Sequence, residues 1–320
     1  MNKLFGWEPS PETVEALLKT PSVAVNEITT DEVQLIQNSG DSETTILLDA
    51  ILTLEPDWER GAQKIGDCVG WGFALALDCL VATEIVVGNK PWEWRGRFAV
   101  EPCYGGGRVE AKSIPRASWR DGSFGAVTAK WLTEWGALHM RDYSEVTGNP
   151  DHDLREYSGK RCKNWGYYGC GGKNDKGALD KVAKDQPVKE AKLVTTYEQA
   201  FACIENGYPV IVCSTQGLGQ RDTNGFAPPR GRWAHCMTFT GVRRGDNPGL
   251  LVTNSWGNSW GTRNSFGKGL ADCSDEIKKC SAWVRPHVAD KMLGQRDSYA
   301  LVGIDGLKKR EIDFSKGWEI

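Results

Sequence analysis

A chain of 320 residues is long enough to bury a sizeable core, in one large domain or two small ones. Its 39 Lys and Arg against 42 Asp and Glu leave a net charge of −3, which removes any electrostatic case for binding nucleic acid or an anionic membrane. The ten Cys contain no Cys-x-x-Cys pair, and no His-x-x-x-His pair accompanies them, so neither a metal site nor a cofactor is expected. The first nine residues hold no apolar run that would serve as a signal peptide, so reduced thiols are the default. Cys162/Cys170 and Cys273/Cys280 are each close enough in sequence to close a short loop, and that pairing is left open.

In chain order, residues 1–45 read as a polar N-terminal arm, with a short amphipathic helix at about 11–19 led by Pro9-Ser10-Pro11-Glu12 and a loop up to Asp41. Thr45 to Leu54 is apolar and reads as a strand or a short helix. The strongest helix is Cys68 to Val87, apolar on nearly every face and therefore buried on most sides. Asp67 is its N-cap, and Gly88-Asn89-Lys90-Pro91 stops it. Asp78 and Glu84 interrupt its apolar run, so no transmembrane helix is expected. A second helix is expected from about Phe124 to Trp135. Residues 145–190 are polar and rich in Gly and Lys, and read as an inserted loop region.

A third helix at about 197–206 precedes a strand at 209–213, and the pattern then becomes β. His235 to Val242 and Leu250 to Thr253 flank a tight turn at 246–249, and this hairpin brings His235 near Asn254. The chain is therefore read as an α+β fold over residues 46–270. A helical lobe of about 55–190 is led by the cysteine helix, and an antiparallel β lobe of about 191–270 carries His and Asn. Residues 271–320 are expected to be a C-terminal extension packed on that domain. Fourteen Trp, several beside Gly, suggest aromatic faces lying on close backbone.

Gln63, Cys68, His235 and Asn254 occur in that order, and together they supply a nucleophile, a proton carrier, an orienter and an oxyanion donor. A thiol in the first turn of a helix gains from the positive helix end and from a nearby imidazolium. Most free cysteines are simply small buried hydrophobes, a description that suits Cys79, Cys203, Cys213 and Cys236, which sit inside apolar runs. His235 would take the thiol proton and Asn254 would hold its tautomer, with Trp256 placed to roof their bond. The Gln63 amide and the Cys68 N–H would face a tetrahedral oxyanion, Gly66 between them permitting a tight turn.

These residues resemble the papain-like cysteine peptidase family. The resemblance rests on Gln63, Gly66-Asp67-Cys68, His235 and the run Asn254-Ser255-Trp256-Gly257-Asn258-Ser259-Trp260-Gly261, and extends over roughly residues 55–265. Asp121-Gly122-Ser123-Phe124 resembles the segment that binds substrate backbone in that family. The resemblance thus implies a two-lobed fold, a peptide or protein substrate, and substrate contacts at Gly122, Ser123, Phe124, Ala234 and Trp256. Several positions depart from the family pattern. The spacing from Gln63 to Cys68 is one residue shorter, Val69 and Ile65 replace the usual Trp and Cys, Ala234 precedes the His, and Ser123 replaces the second Gly. No long inhibitory propeptide with a helical signature is visible ahead of the matching region. These departures suggest a distant branch, bacterial or phage-type, and with neither a signal peptide nor a transmembrane helix expected, a cytoplasmic or virion-associated location is expected. Two other readings are a cell-wall peptide amidase, against which the 167 residues between Cys68 and His235 argue, and a catalytically silent structural or virion protein.

Overall fold

The computed structural model describes residues 5–20, 25–28, 43–112, 120–258, 260 and 270–307. Eight strands among them form one sheet: β1 (Val25–Glu27), β2 (Thr44–Ile46), β3 (Val188–Leu193), β4 (Val210–Leu218), β5 (Pro229–Arg243), β6 (Gly249–Thr253), β7 (Ser281–Val284) and β8 (Tyr299–Ile304). Their order is β1-β3-β8-β4-β5-β6-β7, with β2 pairing on β5, and every pairing but β1–β3 is antiparallel. The fold is α+β, with the helices before β3 forming one lobe and the sheet the other.

The cysteine helix, Cys68–Val86, runs through the middle of the molecule, and every residue in it except Glu84 and Val86 is buried. It is long and apolar enough to cross a membrane by length and composition, but 89% of that stretch is buried inside the protein. Phe73, Leu77 and Leu80 enter one large apolar cluster and Leu75, Cys79 and Ala82 another, each large side chain contributing about 1.5–3 kcal/mol of burial. Gly72 sets its distance from the sheet. A Cβ there would lie 2.8 Å from the Cys236 sulfur, and Thr238 Oγ1 donates to the Gly72 carbonyl at 2.9 Å. The missing side chain lets the helix start lie directly against β5, the strand that carries His235.

Four elements differ from the expectation. Thr45–Leu54 is both a strand and a helix, β2 followed by Leu48–Leu54. The supposed loop at 145–190 holds helices Ser144–Thr147, Gly159–Tyr168 and Ala178–Ala183 and the start of β3. Its buried residues, Leu154, Cys162, Trp165, Cys170, Leu179 and Ala183 among them, are spaced too irregularly to show one period in sequence. A helix at Val100–Arg108 went unread because Pro102 and Gly105-Gly106-Gly107 argue against one. Those glycines serve close packing, lying against Trp165, Trp131 and Thr128 of neighbouring helices. Lastly, the described part of the C-terminal segment packs its helix Pro286–Leu293 on the sheet and also adds two strands to it. β7 extends it beside β6, and β8 is inserted between β3 and β4. The basic run at 308–310 lies outside the described residues.

Candidate active site

The hairpin of β5 and β6 places the imidazole as the sequence suggested. His235 Nε2 lies 2.8 Å from Asn254 Oδ1, and both residues are buried. The Ser255 N–H donates to the same Oδ1 at 2.6 Å, which fixes that atom as an acceptor and assigns the ring hydrogen to Nε2. Nδ1 is then the basic nitrogen of the ring. Trp256 covers the pair, its ring 4.6 Å from the imidazole, and Trp233 stacks on Trp256 at 4.6 Å. Ser259 and Gly261 of the motif lie outside the described residues.

Cys68 opens its helix and is fully buried. The backbone N–H groups of Cys236, next to His235, and of Gly6 lie near enough to favour its thiolate. Burial pushes the thiol well above its ordinary value, with Cys236 and Asp67 adding to the rise, so in this state it is protonated. The ten cysteines are all buried free thiols, including 162, 170, 273 and 280.

Gln63 is held between the two lobes. Its Oε1 accepts from Ser255 Oγ at 2.6 Å, and its Nε2 donates to the Ile65 carbonyl at 2.8 Å. Anchoring the oxygen on Ser255 turns the amide nitrogen toward the turn before Cys68. Asp67 is not the side-chain cap expected of it. Its carboxylate makes no bond to the helix start and instead accepts from Tyr157 Oη at 2.7 Å.

Burial raises Asp67 to about 7 and Asp78, inside the same helix, also to about 7. Both folded values lie above the ordinary carboxylate range, so the native protein holds protons that the unfolded chain has released. The stability they contribute is fully present below about pH 4 and is lost as pH rises through about 7, at about 1.4 kcal/mol per pH unit for each acid. The thermal midpoint is therefore expected to be higher at pH 5 than at pH 8. A midpoint that is flat or rises across that range would contradict this.

Four side chains that build the site had no sequence signal. Arg60 is buried, donating from Nε to the Asn254 carbonyl at 3.2 Å and from Nη2 to the Trp71 carbonyl at 3.1 Å, so it ties the Asn loop to the cysteine helix. Arg108 donates to the carbonyls of Gly122, Arg120 and Gly166, and the Tyr104 hydroxyl accepts the Gly122 N–H at 3.0 Å. Together they shape the 120–123 loop, with Gly122 at φ +121°. Asp297 accepts the N–H groups of Gly125 and Ala126 at 2.8 and 2.7 Å, capping the helix Gly125–Glu134 from across the molecule.

The largest surprise is in the cleft itself, where residues 5–8 lie. Gly6 N and Trp7 N donate to the Ala234 carbonyl at 3.2 and 3.4 Å on the β side. On the helical side Ser123 N donates to the Gly6 carbonyl at 2.7 Å, and Glu8 N donates to the Ser123 carbonyl at 2.9 Å. Trp7 and Ser123 thus form a parallel bridge. Phe5 meets the edges of Trp233 and Trp256, and Glu8 faces Gly122. Gly6 lies on Gly66 so closely that a Cβ on it would strike the Gly66 carbonyl. Gly66 thus makes room for the arm. Among the expected substrate contacts, Gly122, Ser123, Ala234 and Trp256 all touch these four residues, while Phe124 flanks them with Lys112 over its ring.

Comparison with solved structures settles the architecture. The cysteine protease Amb a 11 of ragweed pollen, in its proform, superposes with a TM-score of 0.51 at 12% identity, covering 93% of this chain and 76% of that one. This chain has the papain-like fold. A procathepsin B of Trypanosoma congolense gives 0.48 at 10% identity over 95% and 86% of the two chains. The clostridial cysteine protease Cwp84 gives 0.45 at 15% over 84% and 58%. No protein-family model and no curated protein sequence matches the chain.

Proposed function

We propose that the chain is a thiol peptidase whose cleft is closed by its own N-terminal arm. The observation that carries this reading is the arm. An extended polypeptide backbone is hydrogen-bonded to both walls of the cleft, at Ala234 on one and at Ser123 on the other. A cleft that binds one peptide through backbone groups is built to bind another.

In the proposed reaction His235 Nδ1 takes the Cys68 proton and the thiolate adds to a peptide carbonyl. The Gln63 amide and the Cys68 N–H stabilise the oxyanion. The imidazolium then protonates the leaving amine and a thioester remains. Water, giving its proton to His235, attacks the thioester, releasing the acid and restoring the thiol. Asn254 keeps the ring in register through both half-reactions, and Trp256 shields that bond from water.

The arm pairs in parallel with Ser123. It fills the site and adds to the burial that pushes the Cys68 thiol up.

The test is alkylation by an epoxide thiol probe with the labelled residue found by mass spectrometry, on full-length protein carrying Trp7→Ala to loosen the arm. Stoichiometric labelling of Cys68 alone, abolished by adding Cys68→Ser, is expected. Labelling spread over several of the ten cysteines, or none at all, would remove the peptidase reading.

A further inference from the structure

Asp67 stands beside the nucleophile, is fully buried and has no part in the reaction steps described above. Its carboxylate turns into the helical lobe, where the Tyr157 hydroxyl donates to Oδ2 at 2.7 Å. Tyr157 is itself held in place. Its hydroxyl accepts the Lys64 N–H at 3.1 Å, and its ring lies edge-on to Trp71 at 4.9 Å. Asp67 Oδ1 is buried without a hydrogen-bond partner among the described residues, and the weakly donating Cys162 thiol lies beside the carboxylate.

The acids around it have counter-ions. Glu101, from the helix Val100–Arg108, is bridged by Arg161 at 2.8 Å. Asp121, which accepts the Gly66 N–H at 3.1 Å, faces Lys163 at 3.5 Å. Among the described residues no cation pairs with Asp67, and Glu101 adds a like charge on its lobe side.

Resting on the peptidase reading, we propose that Asp67 is a positioning residue that acts through the Cys68 thiol. As a neutral acid it lets the Cys68–His235 ion pair form, and its ionisation withdraws that pair.

The two side chains compete for one negative charge. Cys68 and Asp67 share a single buried helix start, and two anions so close in a dry site oppose each other. Asp67 adds to the rise of the Cys68 thiol, and burial raises Asp67 itself to about 7. Below that value the carboxyl is uncharged, and the field of the helix start is left to the thiolate. Above it the carboxylate takes the charge and the thiol keeps its proton. On its other side the thiol faces Cys236 of β5, so Asp67 supplies the carboxylate charge that acts on it.

The test follows alkylation of Cys68 by iodoacetamide from pH 5 to pH 8, with the labelled residue found by mass spectrometry. It uses full-length protein carrying Trp7→Ala, which loosens the arm by removing an indole that is 3% exposed and donates to Asp297 Oδ2 at 2.7 Å. The quantity read is the rate constant with Asp67→Asn divided by the rate constant without it. Asn keeps the shape of the neutral acid and never ionises. The ratio is therefore expected to rise about tenfold or more between pH 5 and pH 8, one unit of thiol shift being tenfold in thiolate. A merely structural role would change both rates alike at every pH and leave the ratio level. Tyr157→Phe is the second variant. It removes the donor that favours the ionised carboxyl, so Asp67 stays neutral to higher pH. Alkylation relative to the parent is then expected to be faster at pH 7–8 than at pH 5. A level ratio for Asp67→Asn, or a relative rate for Tyr157→Phe that falls toward pH 8, overturns the inference. Peptide hydrolysis is read alongside. The expected pH signature in alkylation with no hydrolysis of any peptide would remove the peptidase reading and leave the coupling standing. Hydrolysis with a level ratio would do the reverse.

Discussion

Cys68→Ala is expected to lower peptide hydrolysis by about four to six orders of magnitude, the scale on which removing a nucleophile acts in a triad-type site. The reason is that no other group is positioned to replace it. Cys213 and Cys236 face each other across β4 and β5, and burial holds the Cys213 thiol well above its ordinary value. Neither opens a helix, so neither has the N-terminal field that stabilises a thiolate once the cleft is open. The cost to the fold is small by comparison. The side chain is fully buried, but losing one sulfur from it costs on the order of 1 kcal/mol, a shift of a few degrees in melting midpoint for a chain this size. The diagnostic is the contrast between the two readouts, assayed in protein with the arm loosened by Trp7→Ala. Turnover above about one hundredth of the parent, in protein that melts normally, would place the nucleophile elsewhere.

What the sequence revealed and what it hid divide along a physical line. Cys68, His235 and Asn254 were legible because each sits at the end of a strong local pattern, an apolar helix or a β hairpin, and the hairpin turn sets the register that joins two of them. The helix Tyr197–Glu205 was equally visible, and the structure adds its cause, a capping box between Thr196 and Gln199. Arg60, Arg108 and Asp297 were not legible because their partners are backbone groups 194, 14 and 172 residues away, and a carbonyl or N–H carries no residue identity. β7 and β8 were legible only as an extension packed on the domain. Buried on both faces or nearly so, such strands lose the alternation that marks an exposed-edge strand. The helix Val100–Arg108 was hidden by the very glycines that let it pack. The arm was the hardest of all. It binds through main-chain hydrogen bonds and one indole, so Phe5-Gly6-Trp7-Glu8 has no pattern to distinguish it from a loop.

Trp7→Ala is expected to raise the rate of Cys68 alkylation by about two to three orders of magnitude. Truncating a buried tryptophan typically costs about 3–5 kcal/mol, here with its indole–carboxylate bond included. The arm is tethered to the site it fills, so this energy acts directly on the equilibrium between closed and open cleft, at about 1.4 kcal/mol per tenfold change in population. The rate then follows the open fraction until opening is no longer limiting. The pH profile should change with it. In the closed protein the thiol is held well above its ordinary value, so reactivity climbs with pH through the neutral range. In the opened protein water and the His235 imidazole reach the thiol, and the climb should begin at lower pH. Gly6→Ala is an independent route to the same state, because its new methyl would collide with the Gly66 carbonyl while leaving Trp7 and Asp297 intact. Phe5→Ala removes a ring that is 42% exposed and should act far more weakly. Acceleration by both Trp7→Ala and Gly6→Ala, one losing an attraction and the other gaining a clash, would locate the barrier in the arm's occupancy of the cleft. An unchanged alkylation rate in both would mean that the thiol is silenced by its own surroundings in β4 and β5, and that the arm merely lies over a site already inert.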